Sequence, residues 1–240
     1  MKHIMVIAGS DSSGGAGLTR DIAVATELGC AVRPVITNVT AQTDLAVHNI
    51  HSVPPSVVEA QIETALDHHL PDAIKIGMLG TPDIAASTAA ALRGIDIPIV
   101  LDPVLKSSSG SALAETSQVN SMLSQATLVT PNLAEAAALT NSALATAEDE
   151  ITLQASVLLQ MGVRSVLIKG GHGVGSESVD HLVYEFGHRR FSSKRLSKGR
   201  RGTGCALSTA IACNLAMGFG LATACENAKA FVHMWIAAPQ

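Results

Sequence analysis

The feature that most constrains the fold is an alternation between short apolar runs and longer alanine-rich amphipathic segments. The apolar runs begin with HIMVIAG and return as AIKIGML, IPIVLDPV, ATLVTPN and VRSVLIKGG. Between them lie segments with helical periodicity, such as residues 14–29, which finish at Gly29 as helices often do. Strands that alternate with helices form parallel sheets covered on both faces. The sequence therefore predicts an α/β fold with a mostly parallel central sheet.

Two parts of the chain break this alternation. Residues 31–40 and 45–53 are two consecutive strand-like runs, and Pro34 within the first predicts an edge or a bulge. Residues 179–193 predict a hairpin with Gly187 at its turn. No repeat, low-complexity segment or linker divides the chain, so we expect a single domain over residues 1–240.

Composition excludes several classes of protein. The formal net charge is −4 and no block of basic residues is present, which argues against a nucleic-acid partner. The most basic strip, residues 188–201, is either a solvated face or an anion-attracting strip beside a site. No apolar run is long enough to span a bilayer, no signal peptide is apparent, and no C-x-x-C pair is present. We therefore expect no membrane association and a cytoplasmic location.

Glycine-rich and polar turns follow most of the predicted strands. In parallel sheets, ligands bind beyond the carboxyl ends of the strands, so these turns are expected to converge on one rim. The chain contains neither the G-x-x-x-x-G-K-[ST] loop of phosphate-loop NTPases nor a G-x-G-x-x-G fingerprint. Any phosphate must therefore be bound by a different helix start.

Residues 202–204, GTG, offer such a start because they precede a long apolar helix. Free backbone N–H groups and the helix dipole make a helix N-terminus attractive to anions, and glycines let an anion approach the backbone closely. The alternative is an ordinary helix cap formed by Thr203. The glycines alone do not decide between the two.

Seven motifs extend this observation over nearly the whole chain. In order they are IAGSDSSGGAGL with Asp21, TAQ at 40–42, KIGML at 75–79, LDPV at 101–104, TPNLAEA at 130–136, LIKGGH at 167–172 and GTGCALSTAIA at 202–212. Together they resemble the hydroxymethylpyrimidine and phosphomethylpyrimidine kinases of thiamine biosynthesis, within the ribokinase-like superfamily. The resemblance implies a three-layer α/β/α sandwich with a small β flap, here residues 33–52.

The resemblance also implies a reaction, the transfer of the ATP γ-phosphoryl group to 4-amino-5-hydroxymethyl-2-methylpyrimidine or its monophosphate. ATP and Mg²⁺ are the implied cofactors. Gly202, Thr203, Gly204 and Cys205 would form an anion hole for the transferred group. Many superfamily relatives carry an aspartate base where Cys205 stands. A helix N-terminus lowers a thiol pKa, so Cys205 is expected to be either a thiolate base or a wall of the pocket.

On the substrate side, the resemblance points to five positions. Gln42 would hydrogen-bond the aminopyrimidine edge, since an amide both donates and accepts; without its TAQ context it would be an ordinary loop residue. Met78 and Val104 would supply apolar walls against the ring. Gly9 and Asp21 correspond to further substrate-side positions.

On the nucleotide side, Asn132 and Glu135 form the N-x-x-E pair that orders Mg²⁺ and its waters in the superfamily. The same spacing is also a helix-capping pattern, and both roles can coexist. Asp102 is expected to help place the metal. Lys169 is expected to contact nucleotide phosphate, or else to be a surface lysine, and Lys106 is a further candidate for phosphate neutralisation.

Three features depart from the family pattern. Arg200 and Arg201 stand where Thr-His is more common, either strengthening phosphate binding or facing solvent. Leu18, Thr19 and Arg20 replace Ile-Gln-Ala, which brings a charge near the substrate helix. The chain also stops at Gln240 without a glycine- and histidine-containing tail, which we expect to affect nucleotide binding or the contacts of an expected homodimer.

The sequence also leaves other functions open. The nearest rivals are a pyridoxal kinase and a thiazole kinase of the same superfamily. A domain that senses the pyrimidine without turning it over is the alternative from another class.

Overall fold

A nine-stranded sheet forms the centre of the structure, a computed structural model that describes residues 1–67, 69–105, 116–171, 173, 175–185 and 187–239. The strands are β1 Lys2–Asp11, β2 Cys30–Gln42, β3 Val47–Ser52, β4 Ala73–Ile76, β5 Ile99–Leu101, β6 Leu128–Val129, β7 Ser165–Ile168, β8 Glu177–Tyr184 and β9 Gly187–Lys194. Their order in the sheet is β3-β2-β1-β4-β5-β6-β7-β8-β9. Six neighbouring strands, β2, β1, β4, β5, β6 and β7, are parallel to one another. Strands β3, β8 and β9 are antiparallel to their neighbours.

Helices cover both faces of this sheet. They are α1 Gly17–Glu27, α2 Pro55–Asp67, α3 Pro82–Ala91, α4 Thr116–Leu123, α5 Leu133–Leu139, α6 Glu148–Gln160, α7 Thr203–Ala216 and α8 Leu221–Ala237. One core contains side chains of α2 to α6, and the other contains side chains of α1, α7 and α8. The three-layer α/β/α sandwich is therefore confirmed.

Strand β1 shows how the sequence builds two cores from one sheet. Met5 and Ile7 are fully buried in the first core, while Ile4 and Val6 are fully buried in the second. Successive side chains of a strand point to opposite faces, so a strand buried on both faces is an uninterrupted apolar run. The HIMVIAG run is explained by this position in the middle of the sheet.

The two predicted irregular parts have distinct places in the sheet. Gly187 has a positive φ of 133° at the turn between β8 and β9, which confirms the predicted hairpin. Pro34 pairs with Val6 of β1, but β3 pairs with β2 only over residues 38–42, so Pro34 lies on an unpaired edge as expected. The flap is smaller than residues 33–52, because β2 pairs in parallel with β1 from Cys30 to Thr40, and only its last residues, 38–42, also pair with β3.

Helix α4 was not predicted from the sequence. Its eight residues, TSQVNSML, bury Val119, Met122 and Leu123 in the first core. A segment this short carries little periodic signal. None of the helices in the described ranges has the length and hydrophobicity of a membrane span.

Candidate active site

A cavity of about 780 Å³ lies at the carboxyl ends of the parallel strands. It receives residues from the turns after β1, β4, β5, β6 and β7 and from the start of α7, which is the convergence that the turns predicted. Twelve predicted site residues line it: Gly9, Gln42, Met78, Asp102, Val104, Asn132, Glu135, Lys169, Gly202, Thr203, Gly204 and Cys205. Lys106 lies outside the described residues. Asp21 does not line the cavity.

The first turn of α7 forms the cavity floor. Gly202 is the N-cap residue, with a left-handed φ of 74°, so Thr203 does not cap the helix. A Cβ atom at Gly202 would collide with the carbonyl oxygen of Gly15, which makes glycine necessary for both conformation and space. The first N–H groups of a helix lack partners within the helix, and those of α7 border the cavity. This geometry suits an anion.

Cys205 differs electrostatically from the sequence expectation. Burial raises the pKa of its thiol to about 11, although the Lys75 cation and an N–H group of Gly17 both favour the thiolate. The predicted lowering of the pKa is wrong, because loss of hydration outweighs these favourable contacts. Cys205 is therefore a neutral thiol near pH 7, which favours the pocket-wall role over the thiolate base.

Lys169, Asp102 and Glu135 form a charged group beside the glycines of α7. The Nζ atom of Lys169 lies 2.8 Å from Oδ1 of Asp102 and 3.9 Å from Oε2 of Glu135. A Cβ atom added to Gly204 would lie 3.4 Å from both the Lys169 Nζ and the Asp102 Oδ2. Burial lowers the pKa of Lys169, but the two carboxylates raise it overall, so the lysine stays charged.

Asn132 and Glu135 form the capping box at the start of α5. The Asn132 side chain accepts a hydrogen bond from the Glu135 N–H at 2.9 Å, and Glu135 accepts one from the Asn132 N–H at 2.8 Å. Burial raises the pKa of Glu135 to about 7, with Lys169 opposing this shift and Asp102 adding to it. The predicted capping role is confirmed, and the carboxyl group titrates near neutrality.

Asp21 lies beneath the cavity and is fully buried. Its carboxylate contacts the Lys75 Nζ at 2.7 Å and accepts a hydrogen bond from the Thr209 hydroxyl at 2.8 Å. Burial lowers the pKa of Lys75, but the charges around it, with Asp21 first among them, together raise it above its usual value. Lys75 itself lines the cavity, so Asp21 acts through Lys75, and its expected place beside the substrate is corrected.

The turn after β1 and the flap also contribute lining residues to the cavity. Met78 has its sulfur 3.4 Å from where a Cβ of Gly9 would stand, so Gly9 keeps space open beside Met78. The backbone N–H of Gln42 donates to the Ser12 hydroxyl at 2.8 Å, and the Ser12 hydroxyl donates to the Gln42 carbonyl at 2.9 Å. The Gln42 backbone is thereby held at the cavity edge.

Arg201 ties the flap to the rest of the site. Its guanidinium donates to Asp44 at 2.7 Å, to the Ser13 hydroxyl at 2.8 Å and to Asp11 at 3.2 Å. Asp11 also accepts hydrogen bonds from the N–H groups of Ser13 and Ala16, both at 2.9 Å. Arg201 therefore joins the flap, the turn after β1 and the start of α7.

A matching family model, Phosphomethylpyrimidine kinase, covers residues 11–240. This chain belongs to that family. A hydroxymethylpyrimidine/phosphomethylpyrimidine kinase of Rhizobium meliloti is 39% identical over 237 residues, covering 97% of this chain and 89% of the relative. The phosphomethylpyrimidine kinase family consists of phosphotransferases.

Solved structures share the fold along nearly the whole chain. A phosphomethylpyrimidine kinase of Clostridium difficile has a TM-score of 0.85 and 31% identity, covering 98% of this chain and all of that chain. A pyridoxal kinase of Staphylococcus aureus, in complex with pyridoxal, has a TM-score of 0.89 and 30% identity, covering 99% and 88%. The same pyridoxal kinase has been solved with ADP and with AMP-PCP, which supports ATP use in this fold.

The arginines that depart from the phosphomethylpyrimidine kinase pattern have internal partners. Arg200 donates to the Trp235 carbonyl at 2.6 Å and stacks over the Trp235 ring at 4.5 Å. Arg20 lies over the same ring at 4.8 Å. Arg20 and Arg200 therefore pack on Trp235 of α8. Arg201 instead contacts the carboxylates of Asp11 and Asp44.

Beyond Lys169 the cavity continues along a basic wall. Lys194, Arg195, Lys198 and Lys229 line it, so part of the basic strip borders the site, as one of the two sequence interpretations held. Arg195 donates hydrogen bonds to the carbonyl groups of Gly170, Gly171, Gly175 and Glu177, which orders the described part of the turn after β7. A cationic wall attracts polyanions such as a triphosphate.

Sequence reasoning missed Lys75, Asp11 and the Arg201 bridge. Lys75 lies in a four-residue strand whose other members are all apolar. In the sequence it therefore looks like the single outward-facing polar residue that many strands carry. Its partner Asp21 is 54 positions away. A lysine inside the motif KIGML was the available signal, because a lysine is fully buried only with a partner.

Proposed function

We propose that this chain transfers the γ-phosphoryl group of ATP to the hydroxymethyl group of 4-amino-5-hydroxymethyl-2-methylpyrimidine, and to the monophosphate formed, in thiamine biosynthesis. One observation carries the proposal: the bare first turn of α7 lies beside Lys169 and Asp102 in a single cavity that extends to Gln42 and Met78. An acceptor alcohol bound against the flap and a nucleotide bound along the basic wall would meet at that turn.

The residues of α7 would stabilise charge on the transferred group. Backbone N–H groups of Gly202, Thr203, Gly204 and Cys205 are fixed donors that need no reorganisation during the reaction. Lys169 would contact a nucleotide phosphate while Asp102 and Glu135 keep it charged. Phosphoryl transfer depends mainly on positioning and charge neutralisation. A neutral Cys205 thiol is compatible with this chemistry, since its role would be to shape the pocket.

The carboxylates of Asp102 and Glu135 fit an Mg²⁺ site. Both line the cavity, and carboxylate oxygens are the ligands that Mg²⁺ prefers, usually together with waters. The metal would neutralise charge on the phosphates of ATP when bound. Asn132 would hold the Glu135 carboxylate in place through the capping box, so that capping and metal binding coexist.

Gln42, Met78 and Val104 would recognise the pyrimidine. An amide side chain can donate to a ring nitrogen and accept from an adjacent amino group. Gly9 would leave room beside Met78, and Asp21 would contribute indirectly by holding Lys75.

We further propose that residues 1–240 form one catalytic domain, that the protein is cytoplasmic and that it is a homodimer. Light scattering coupled to size-exclusion chromatography tests the homodimer.

A coupled assay for ADP tests the proposed reaction with four acceptors: the pyrimidine alcohol, its monophosphate, pyridoxal and hydroxyethylthiazole. The expected result is ADP formation with the two pyrimidines at rates well above those with pyridoxal and the thiazole. Gln42→Leu is expected to lower kcat/KM for the pyrimidines selectively, while the exposed Gln160→Leu serves as control. Pyridoxal turnover far above pyrimidine turnover would instead assign a pyridoxal kinase.

Thermal unfolding distinguishes the proposed kinase from a domain that only senses the pyrimidine. A kinase is expected to gain Tm with Mg²⁺–ATP as well as with the pyrimidine, because any ligand that binds only the folded state stabilises it. Stabilisation by the pyrimidine alone, without ADP formation, would support a sensor and contradict the proposed activity.

A further inference from the structure

A second group of metal-ligating side chains lies outside the cavity, between the hairpin β8–β9 and the start of α6. His181, His188 and Glu148 each place one ligand atom within 4.8 Å of the others. None of the three lines the active-site cavity. His181 is 4% exposed, whereas His188 and Glu148 are exposed, so the group has a buried base and an open side.

The hairpin register explains why the two histidines meet. His181 pairs with Arg190, and His188 lies two positions from Arg190, so both imidazoles occupy the same face of the hairpin as diagonal neighbours. Their rings stack with centroids 5.3 Å apart. Asp180, the preceding residue, points to the other face, where it contacts Lys229 of α8 at 3.0 Å.

The distance between the ring nitrogens suits a shared metal ion. Nδ1 of His181 and Nε2 of His188 are 3.2 Å apart. Two metal–nitrogen bonds of about 2.0–2.1 Å spanning such a gap meet at about 100°, near the tetrahedral angle of zinc sites. The same distance fits a hydrogen bond between the rings, which a metal ion would replace.

Glu148 would supply the third ligand. It opens α6 together with Asp149 and Glu150, and these three acidic residues favour a cation at this end of the helix. Its carboxylate currently contacts the Arg190 Nε at 3.3 Å, and the Glu148 side chain is 47% exposed, so it can turn toward the histidines. Arg190 competes for Glu148 and repels a cation.

We propose that His181, His188 and Glu148 form a binding site for a divalent transition-metal ion, with Zn²⁺ as the favoured ion. Imidazole nitrogens and one carboxylate form a common zinc ligand set, and water completes the coordination in sites open to solvent. A bound ion would connect the hairpin to α6. The site is independent of the proposed phosphoryl transfer.

Zinc titration by calorimetry, with excess Mg²⁺ and no nucleotide present so that the carboxylates of the cavity are occupied, tests this site. The wild type is expected to bind one equivalent that Cys205→Ser retains. His188→Ala should abolish this binding, Glu148→Gln should weaken it by about 10-fold or more, and exposed His48→Ala is the matched control. Substituted Co²⁺ should give the visible absorption of a tetrahedral site.

Arg190→Gln distinguishes a metal site from a cluster that only stabilises the fold, because only a metal site would bind Zn²⁺ more tightly in this variant. Its side chain is 54% exposed, so the variant is expected to fold. Removing its charge frees Glu148 and should tighten Zn²⁺ binding. An absence of zinc binding by the wild type, or equal affinity in His188→Ala and the wild type, would overturn the proposal.

Discussion

Cys205 shows how burial can reverse the expected effect of a helix N-terminus. A thiol at such a position normally gains acidity, yet the pKa of Cys205 rises to about 11 because burial removes hydration from the thiolate. The nearby Lys75 cation does not compensate, since Asp21 and Asp102 add negative charge close to the same sulfur. The thiol is therefore expected to act by its shape.

Cys205→Ser tests this role. A residue that only shapes the pocket should leave kcat within about 10-fold of the wild type, whereas losing a general base typically costs 10²–10⁴-fold. The coupled ADP assay measures the change, and Cys205→Ala provides a second small side chain without a proton to transfer. A loss above about 100-fold in both variants would restore the base assignment.

Glu135 predicts a pH-dependent contribution to stability. Its pKa in the folded protein is about 7, above the ordinary value of 4.5, so the folded state holds this proton more tightly than the unfolded state. The wild type should therefore lose stability as the pH rises from about 4.5 to about 7. Glu135→Gln cannot titrate and so lacks this loss. The free energy of unfolding of Glu135→Gln minus that of the wild type should therefore increase as the pH rises over that interval.

Urea denaturation at several pH values measures this difference. Glu150→Gln is the control of opposite sign, because hydrogen bonds from the backbone N–H groups of Thr146 and Ala147 lower the pKa of Glu150. The stability that Glu150 contributes is present at neutral pH and is lost as the pH falls through that lowered pKa. A constant difference between Glu135→Gln and the wild type would refute the raised pKa.

Single residues also show where sequence reasoning reached its limit. Asn132 and Glu135 lie three positions apart, so their local contact was predictable and is present. The contact between Asp21 and Lys75 joins residues 54 positions apart, and no local pattern connects them. The pKa of Cys205 depends on the burial of the completed site, which a sequence motif does not contain.

At the scale of elements, the start of α7 predicts a specific sensitivity. Gly202→Ala places a side chain at a φ of 74° and against the Gly15 carbonyl, whereas Gly218→Ala at the other end of α7 has a φ of 90° and no atom within 4 Å. Both variants should lose about 1 kcal/mol through backbone conformation. Gly202→Ala should lose a further 1–3 kcal/mol, as overpacked sites roughly do, and most of its kcat.

Denaturant unfolding and the ADP assay together test this pair of variants. Equal stability losses with equal activities would mean that the turn between Gly15 and Gly202 has no special role. The matched position of Gly218 on the same helix separates backbone strain from the close approach to Gly15.

The bridge from Arg201 to the flap predicts an effect on substrate binding. Arg201→Ala removes hydrogen bonds to Asp11, Asp44 and Ser13, so the flap should be held less firmly over the acceptor. Hydrogen bonds to charged groups contribute about 1.5–3 kcal/mol, and we expect KM for the pyrimidine to rise by roughly 10-fold with little change in KM for ATP.

Arg200→Ala is the control for this effect. Arg200 packs on Trp235 of α8, so its loss should lower Tm without the selective rise in the pyrimidine KM. An unchanged pyrimidine KM in Arg201→Ala would contradict the flap role.

Most elements were predictable because their signals are local. The strand β1, the hairpin around Gly187 and the glycine after α1 each carry a pattern within about ten residues, and the structure confirms them. The extent of the flap was not predictable, because β2 pairs with β1 over residues 30–40 and with β3 over residues 38–42, so the two pairings overlap within one continuous run. Pairing partners depend on the whole sheet.

The whole molecule places its chemistry at one edge of the sheet. Two separate cores hold the helices on opposite faces, and the turns at the carboxyl edge are left to form the cavity. The alternation of apolar runs and helical segments indicated only an α/β protein, whereas seven motifs in order identified the family. The motifs succeeded because each lies at a turn that the fold brings to the same rim.

The central claim is that this cavity joins ATP to a pyrimidine alcohol, and ³¹P NMR of the reaction mixture tests it most directly. With Mg²⁺, ATP and 4-amino-5-hydroxymethyl-2-methylpyrimidine, we expect the ATP signals to be replaced by those of ADP, the pyrimidine monophosphate and then its diphosphate. Unchanged ATP signals, or release of inorganic phosphate without a phosphorylated pyrimidine, would contradict the claim.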